Sequence, residues 1–174
     1  AESDPARLLV GALISPTVKH YSAITDPVEF GALLRAIEDY QGDPSVIHAL
    51  RLTPHVFQRP GEIRQMEWKE VDFDRALWTI PVGKMKMRQP HSVPLSRQAL
   101  AILSDMRGLS GSGRYVFPSI RTRARPISDN TINAALRRMG YSKEQMTAHG
   151  FRTSASSLLN ESGKWNPDAI ERAL

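Results

Sequence analysis

Phe30, Leu33, Leu34 and Ile37 fall at the i, i+3, i+4, i+7 spacing of one buried helix face, in a segment running from Pro27 to about Tyr40. Asp26 stands where an N-cap belongs, Pro27 suits the first helical position, and Glu29 can reach back in a capping-box-like arrangement. Gly42 closes that segment. Asp43-Pro44 repeats the start signal, and Val46, Ile47, Ala49 and Leu50 predict a second helix to about Thr53. Around Trp68 the period changes from helical to alternating. Val71, Phe73, Leu77, Trp78 and Ile80 flank the polar turn Asp74-Arg75, the pattern of a tight β-hairpin, and His91-Ser92-Val93-Pro94-Leu95 offers a third strand.

Further on, Ser96 predicts a helix cap, with the helix ending near Met106, and the Ser/Gly-rich run 108–113 predicts a loop. A second loop is expected over 119–127. Ser128 is expected to cap a helix with Ile132, Ala135, Leu136 and Met139 on one side. Thr147 or His149 opens the next helix, which ends near Gly163, and Asn166-Pro167 starts the last. Residues 1–25, broken by Pro5, Gly11 and Pro16, predict a tether. Three short strands cannot make a two-layer β fold, so the expectation is a mainly α fold with a small three-stranded antiparallel β-sheet, an α+β arrangement.

Length and composition leave this picture unchanged. The 174 residues suit one domain, and 41% hydrophobic with 24% charged residues is ordinary for a globular chain. No apolar run is long enough to span a bilayer, and zero cysteines removes disulfides and thiolate metal sites. Charge changes the picture more. The net charge is +5, and residues 84–125 carry nine basic side chains (Lys84, Lys86, Arg88, Arg97, Arg107, Arg114, Arg121, Arg123, Arg125) against Asp105 alone. Such a segment can bind a phosphate backbone through counterion release, or it can be a solvated basic face. Charge by itself leaves both open.

Two motifs carry candidate chemistry. Arg59-Pro60-Gly61-Glu62 puts an arginine at the mouth of a turn leading into a helix, with Glu62 one turn on to brace the turn or the guanidinium. His149-Gly150-Phe151-Arg152 places a histidine and an arginine three apart, on one face of a helix start. Arginine meets growing phosphate charge with a planar, always-charged fork, and histidine can donate to an oxygen or shuttle a proton. Taken singly, each motif is more often a surface arginine in a turn, or a histidine cap or buried donor; conjunction is what lifts them. Lys84 and Lys86, on the loop before His91, add a lysine able to protonate a departing oxygen, although a hairpin-loop lysine is usually solubility charge. His91 is either a DNA contact or a strand-edge side chain. His20, His48, His55, His91 and His149 lack HxxxH spacing, and no Walker, GxGxxG or GxSxG motif occurs. Neither a metal nor a nucleotide cofactor is expected.

In this order, Ala23-Ile24-Thr25-Asp26-Pro27, Arg59-Pro60-Gly61-Glu62 with Trp68, Met85-Lys86-Met87-Arg88 with Pro90 to Ser96, Val116-Phe117-Pro118-Ser119 and His149-Gly150-Phe151-Arg152 resemble the tyrosine recombinase (phage integrase) family over nearly all of residues 20–174. They resemble above all the prophage and genomic-island integrases that insert at tRNA genes. The resemblance implies that Arg59 and Arg152 are the catalytic arginines and His149 the histidine of the HxxR box. It also implies that Lys86, seven positions before Val93, is the hairpin lysine. Lys84, Arg88, His91, Arg121, Arg123 and Arg125 are expected to contact DNA. Gln58 stands where family members often have threonine, which changes a turn residue and no catalytic group.

The activity implied is DNA strand cleavage and rejoining through a phosphotyrosyl intermediate, with no cofactor. Double-stranded DNA would be the partner, at attachment sites that include tRNA genes. A tetramer of the full-length protein, a directionality factor and a bacterial, nucleoid-associated cytoplasmic location are implied with it. Tyr21, Tyr40, Tyr115 and Tyr141 are the tyrosines, and none follows Arg152. The expectation is therefore that residues 26–174 are a catalytic domain cut before its nucleophile, and that residues 1–25 trail from a separate DNA-binding region. A non-catalytic DNA-binding module from a degenerate integrase and a type IB topoisomerase-like enzyme are the alternatives.

Overall fold

The structure is a computed structural model that describes residues 21–85 and 89–174. Helix α1 (Pro27–Asp39) starts on Asp26, whose carboxylate accepts from the amides of Val28 and Glu29 at 2.9 Å each. Leu33 and Ile37 form its buried stripe. Helix α2 (Pro44–Val56) starts on Asp43, which accepts from Ser45 N at 2.9 Å. It continues one turn beyond the expected end at Thr53, through Pro54. The turn survives because Phe57 N still reaches Thr53 O, and Phe57 itself takes the left-handed conformation, φ 53°. This helix is the hub of the fold: α1, α3 (Pro60–Arg64), α4 (Arg97–Ser110), α5 (Thr131–Arg138) and α6 (Gly150–Glu161) all pack on it.

Strands β1 (Val71–Asp72), β2 (Leu77–Ile80) and β3 (His91–Pro94) form the expected antiparallel meander, in the order β1-β2-β3. Trp78 pairs with Val71 on one side and Val93 on the other. It is fully buried, and its indole N–H donates to Glu70. Helix α7 (Pro167–Ala173) starts on Asn166 and lies against α6. One core, including Leu33, Leu50, Ile63, Trp78, Leu103 and Phe151, runs beneath all of this.

Three expectations are corrected. Helix α4 runs four residues past Met106 and through Gly108, because Met106 and Ser110 share its buried face and Ser110 O accepts from the Trp68 indole at 3.0 Å. The segment 119–127 is not a loop. It contains β5 (Thr122–Pro126), paired antiparallel with β4 (Pro118–Ser119). Residues 122–125 of β5 are exposed on both faces, so no alternation marked the strand; pairing alone makes it. Ser128 does not cap α5: the cap residue is Asn130, and the Ser128 hydroxyl bonds the Thr131 hydroxyl at 2.9 Å. Residues 21–25 are packed at the start of α6, with Ile24 buried. Residues 1–20 of the expected tether lie outside the described residues.

Candidate functional site

Arg59 is the N-cap of α3, and Glu62 holds it twice. One carboxylate oxygen accepts from the Arg59 backbone N–H and the other from its guanidinium, both at 2.9 Å. Glu62 is only 5% exposed, while the Arg59 side chain remains 35% exposed. The guanidinium is thus fixed from below by a buried anion and open above. Both braces expected of Glu62 are present at once.

Arg152 approaches the same turn from α6. Its Nη1 donates to Phe57 O at 3.1 Å, just before Arg59 in the chain. Its guanidinium is held below its ordinary value by burial first and then by the charge of Arg59, with Glu62 acting in the opposite sense. His149, one turn earlier, is the N-cap of α6. Burial, then Arg152, then Arg59 hold its imidazole below the ordinary value of 6.5. At neutral pH it is therefore an uncharged ring, able to donate through one nitrogen and accept through the other. The two motifs lie side by side in one cluster. It has two mutually repelling guanidinia, one neutral imidazole and a single buried carboxylate beneath them. A phosphate diester would relieve that repulsion and accept the free donors of both forks.

The remaining expected site residues divide. Lys84, at the end of a 3-10 turn over 82–84, points inward: its ammonium bonds Gln65 O at 2.6 Å and lies 3.0 Å from Glu67 and within bonding distance of Glu70. Three acceptors use all three of its protons, so this is neither a solubility charge nor a group placed to meet DNA. Glu67, 2% exposed, is held down to about 2 by Arg114 first and by Lys84 and Lys69 as well, against the effect of burial. Lys86 and Arg88 lie outside the described residues. His91 begins β3, at the sheet edge, half-buried and paired with Ile80. Arg121, Arg123 and Arg125 are exposed on the β4–β5 hairpin, and none forms an ion pair among the described residues. A cavity of about 580 Å³ between this hairpin and α5 is lined by Ser119, Arg121, Asn130, Thr131 and Arg138, away from the arginine pair.

Several groups around the site escaped the sequence reading. Tyr21 packs its ring on His149, with centroids 4.3 Å apart and planes inclined by 40°. Asn133 accepts from Ala148 N at 2.8 Å and Arg137 bonds Met146 O, so α5 holds the segment leading to His149. Gln58 donates to Ala173 O at 2.8 Å, tying the end of α7 to the residue before Arg59. One signal was available in the sequence: Gly150, a glycine at a helix start with no turn to make, marks a close backbone approach. Among the described residues, no group of three His, Asp or Glu side chains is placed to hold a metal ion, and no helix is long and apolar enough to cross a membrane.

A model of the phage integrase family matches residues 26–174. The integrase of enterobacteria phage P4 is 39% identical over 186 residues, which cover 99% of this chain and 42% of that protein. The prophage integrase IntA of Escherichia coli strain K12 is 46% identical over 116 residues, covering 67% of this chain and 28% of its own. The chain spans less than half the length of these curated relatives. Among solved structures, the lambda integrase tetramer bound to a Holliday junction matches with a TM-score of 0.67 at 19% identity, over 95% of this chain and 50% of that one. The Tn1549 transposon integrase in complex with circular intermediate DNA matches with a TM-score of 0.70 at 13% identity, over 90% and 59%. At these identities the structural matches speak for a shared fold.

Proposed function

The chain belongs to the phage integrase family, and from that premise we propose that it supplies the phosphate-binding half of a site-specific DNA recombinase active site, in an integrase of the prophage or genomic-island type. The convergence of Arg59, Arg152 and His149 on one turn carries the reading. Two fixed guanidinia would hold the non-bridging oxygens of the scissile phosphate, and their charge would count most when that phosphate becomes pentacoordinate. A tyrosine hydroxyl would attack phosphorus, passing its proton to the neutral imidazole of His149 and forming a 3′-phosphotyrosyl bond as the bond to the 5′ oxygen breaks. The 5′ oxygen would leave as a hydroxyl, with Lys86 proposed as the donor of its proton. A 5′ hydroxyl attacking the phosphotyrosyl link would reverse the step on a partner strand. The energy of the broken bond is kept in the covalent link, so the cycle needs neither a nucleotide nor a metal.

The attacking hydroxyl is proposed to lie outside these 174 residues. Tyr40 is buried and its hydroxyl accepts from Arg138. Tyr115 lies under the Arg114 guanidinium, and Tyr141 packs on the core. Tyr21 packs on His149 and precedes both motifs in the chain. DNA is the proposed partner, with Arg121, Arg123 and Arg125 on its backbone. Insertion at a tRNA gene, a tetrameric synapse and a directionality factor are the finer parts of the same proposal. The test is a nicked suicide substrate incubated with the full-length protein, followed by denaturing electrophoresis. A covalent protein–DNA band is expected, lost in Arg59→Ala and Arg152→Ala. DNA binding without any band would instead favour a non-catalytic module. Relaxation of supercoils with no exchange between two attachment sites would favour a topoisomerase-like enzyme.

A further inference from the structure

His149 begins α6 without making a side-chain capping bond. The hydroxyl of Thr147 takes that place, accepting from Gly150 N at 3.0 Å. The torsion about the Cβ–Cγ bond of histidine is broad, so an imidazole released from capping needs another contact to define its plane. The ring of Tyr21 provides it, 4.3 Å away between centroids.

Tyr21 is delivered by a strap with its own fastenings. Ser22 O accepts twice from Thr147, from the amide at 3.1 Å and the hydroxyl at 3.2 Å, and Ile24 is buried two residues on. The strap crosses the start of α6 so closely that a Cβ at residue 150 would stand 2.3 Å from Ser22 O and 3.2 Å from Ala23 Cα. Gly150 is what lets the strap lie there. Thr147 therefore joins three things through one side chain: the strap, the first turn of α6 and, two residues on, the histidine.

We infer that Tyr21 is a positioning residue for His149, setting the plane of its imidazole against the phosphate site. The inference rests on the reading of His149 as part of the active site. The charged and titratable groups around that ring are Arg152 on its own helix, Arg59 at the start of α3 and Tyr21 itself. Removing the Tyr21 ring would hydrate the imidazole and lessen the burial that holds it below 6.5, so its titration would move upward.

Tyr21 is 60% exposed, so its loss empties no core position. In the full-length protein, single-turnover cleavage of a suicide substrate would be followed across pH for wild type, Tyr21→Phe, Tyr21→Leu and His149→Ala. Tyr21→Phe keeps the ring and is expected to match wild type, which would also show that the Tyr21 hydroxyl is not the nucleophile. Tyr21→Leu is expected to be slower by about 10- to 100-fold, the cost of a misplaced catalytic group, with its acidic limb shifted to higher pH. The His149 ring-proton NMR signals should lose their ring-current displacement in Tyr21→Leu alone. A Tyr21→Leu variant with wild-type rate and profile beside a slow His149→Ala would overturn the inference, as would equal defects in Tyr21→Phe and Tyr21→Leu. A fully active His149→Ala would overturn the reading of the site instead.

Discussion

Arg59 and Arg152 do different structural work although they are proposed to share one chemical task. Arg59 sits on a buried carboxylate, whereas Arg152 also secures the Phe57 carbonyl. Arg59→Lys keeps a charge for Glu62 but removes the planar fork. It is expected to retain the wild-type melting temperature while slowing cleavage by about 10²-fold or more. A wild-type rate in single-turnover cleavage would remove Arg59 from the site. Lys84 makes the opposite case. Lys84→Ala would strip a cation from two buried carboxylates and is expected to cost about 3 kcal/mol in urea unfolding, with little change in DNA affinity. Weakened DNA binding at unchanged stability would reverse that assignment. The same cluster sets an acid limit. Glu67 is held near 2, below its ordinary 4.5, so its contribution is complete above pH 4.5 and is lost as pH falls from there toward 2. Lys84→Ala removes one cause of the depression, so its acid unfolding should begin at higher pH than that of wild type.

At the scale of elements, the site is a meeting of two helix starts. Helix α3 begins on Arg59 and α6 on His149, and both abut the left-handed turn at Phe57 that ends α2. Neither start is long enough to be stable alone; each is held by a local side-chain bond, from Glu62 within α3 for the first and from Thr147 just before α6 for the second. Gly150→Ala tests how tightly they fit. The added methyl meets backbone rather than a flexible side-chain end, so the strap or the helix must move. A loss of about 1–3 kcal/mol is expected by thermal or urea unfolding. Cleavage should fall together with stability, because the displaced parts carry Tyr21 and His149. Unchanged stability and activity would mean that the strap does not lie across α6 in solution.

For the molecule as a whole, charge and shape separate. Some of the acidic side chains are taken up by caps and buried pairs, among them Asp26, Asp43, Glu62 and Glu67. The β4–β5 hairpin meanwhile holds Arg121, Arg123 and Arg125 outward. Binding of the 174-residue chain to duplex DNA is expected to be weak, low in sequence preference and steeply salt-dependent. Replacing the three hairpin arginines by alanine should lower the slope of log K against log salt by about 2.7, if each neutralises one phosphate. Filter binding over a range of salt concentrations would measure it; an unchanged slope would place the DNA elsewhere. The folding stability of the triple variant should stay at its wild-type value, since exposed positions without partners contribute little.

What the sequence determined by itself was everything decided within a few residues. Asp26, Asp43, Ser96 and Asn166 cap helices where expected, because a cap is a bond to an amide two or three positions away. The alternation around Asp74-Arg75 located the hairpin for the same reason, and the ordered motifs around Arg59 and His149 identified the family. What only the tertiary structure decided depends on partners far along the chain. The strand over 122–126 exists through pairing and not through pattern, and α4 runs on through Gly108 because Trp68 and the core hold its last turn. Lys84 turns inward because Glu67 and Glu70 have no water to solvate them, a fact invisible in a lysine-rich loop read alone. Tyr21 reaches His149 because the chain crosses α6 at a glycine. Local hydrogen bonds can be read from neighbouring letters, but desolvation and close approach belong to surfaces that come together only in the folded molecule.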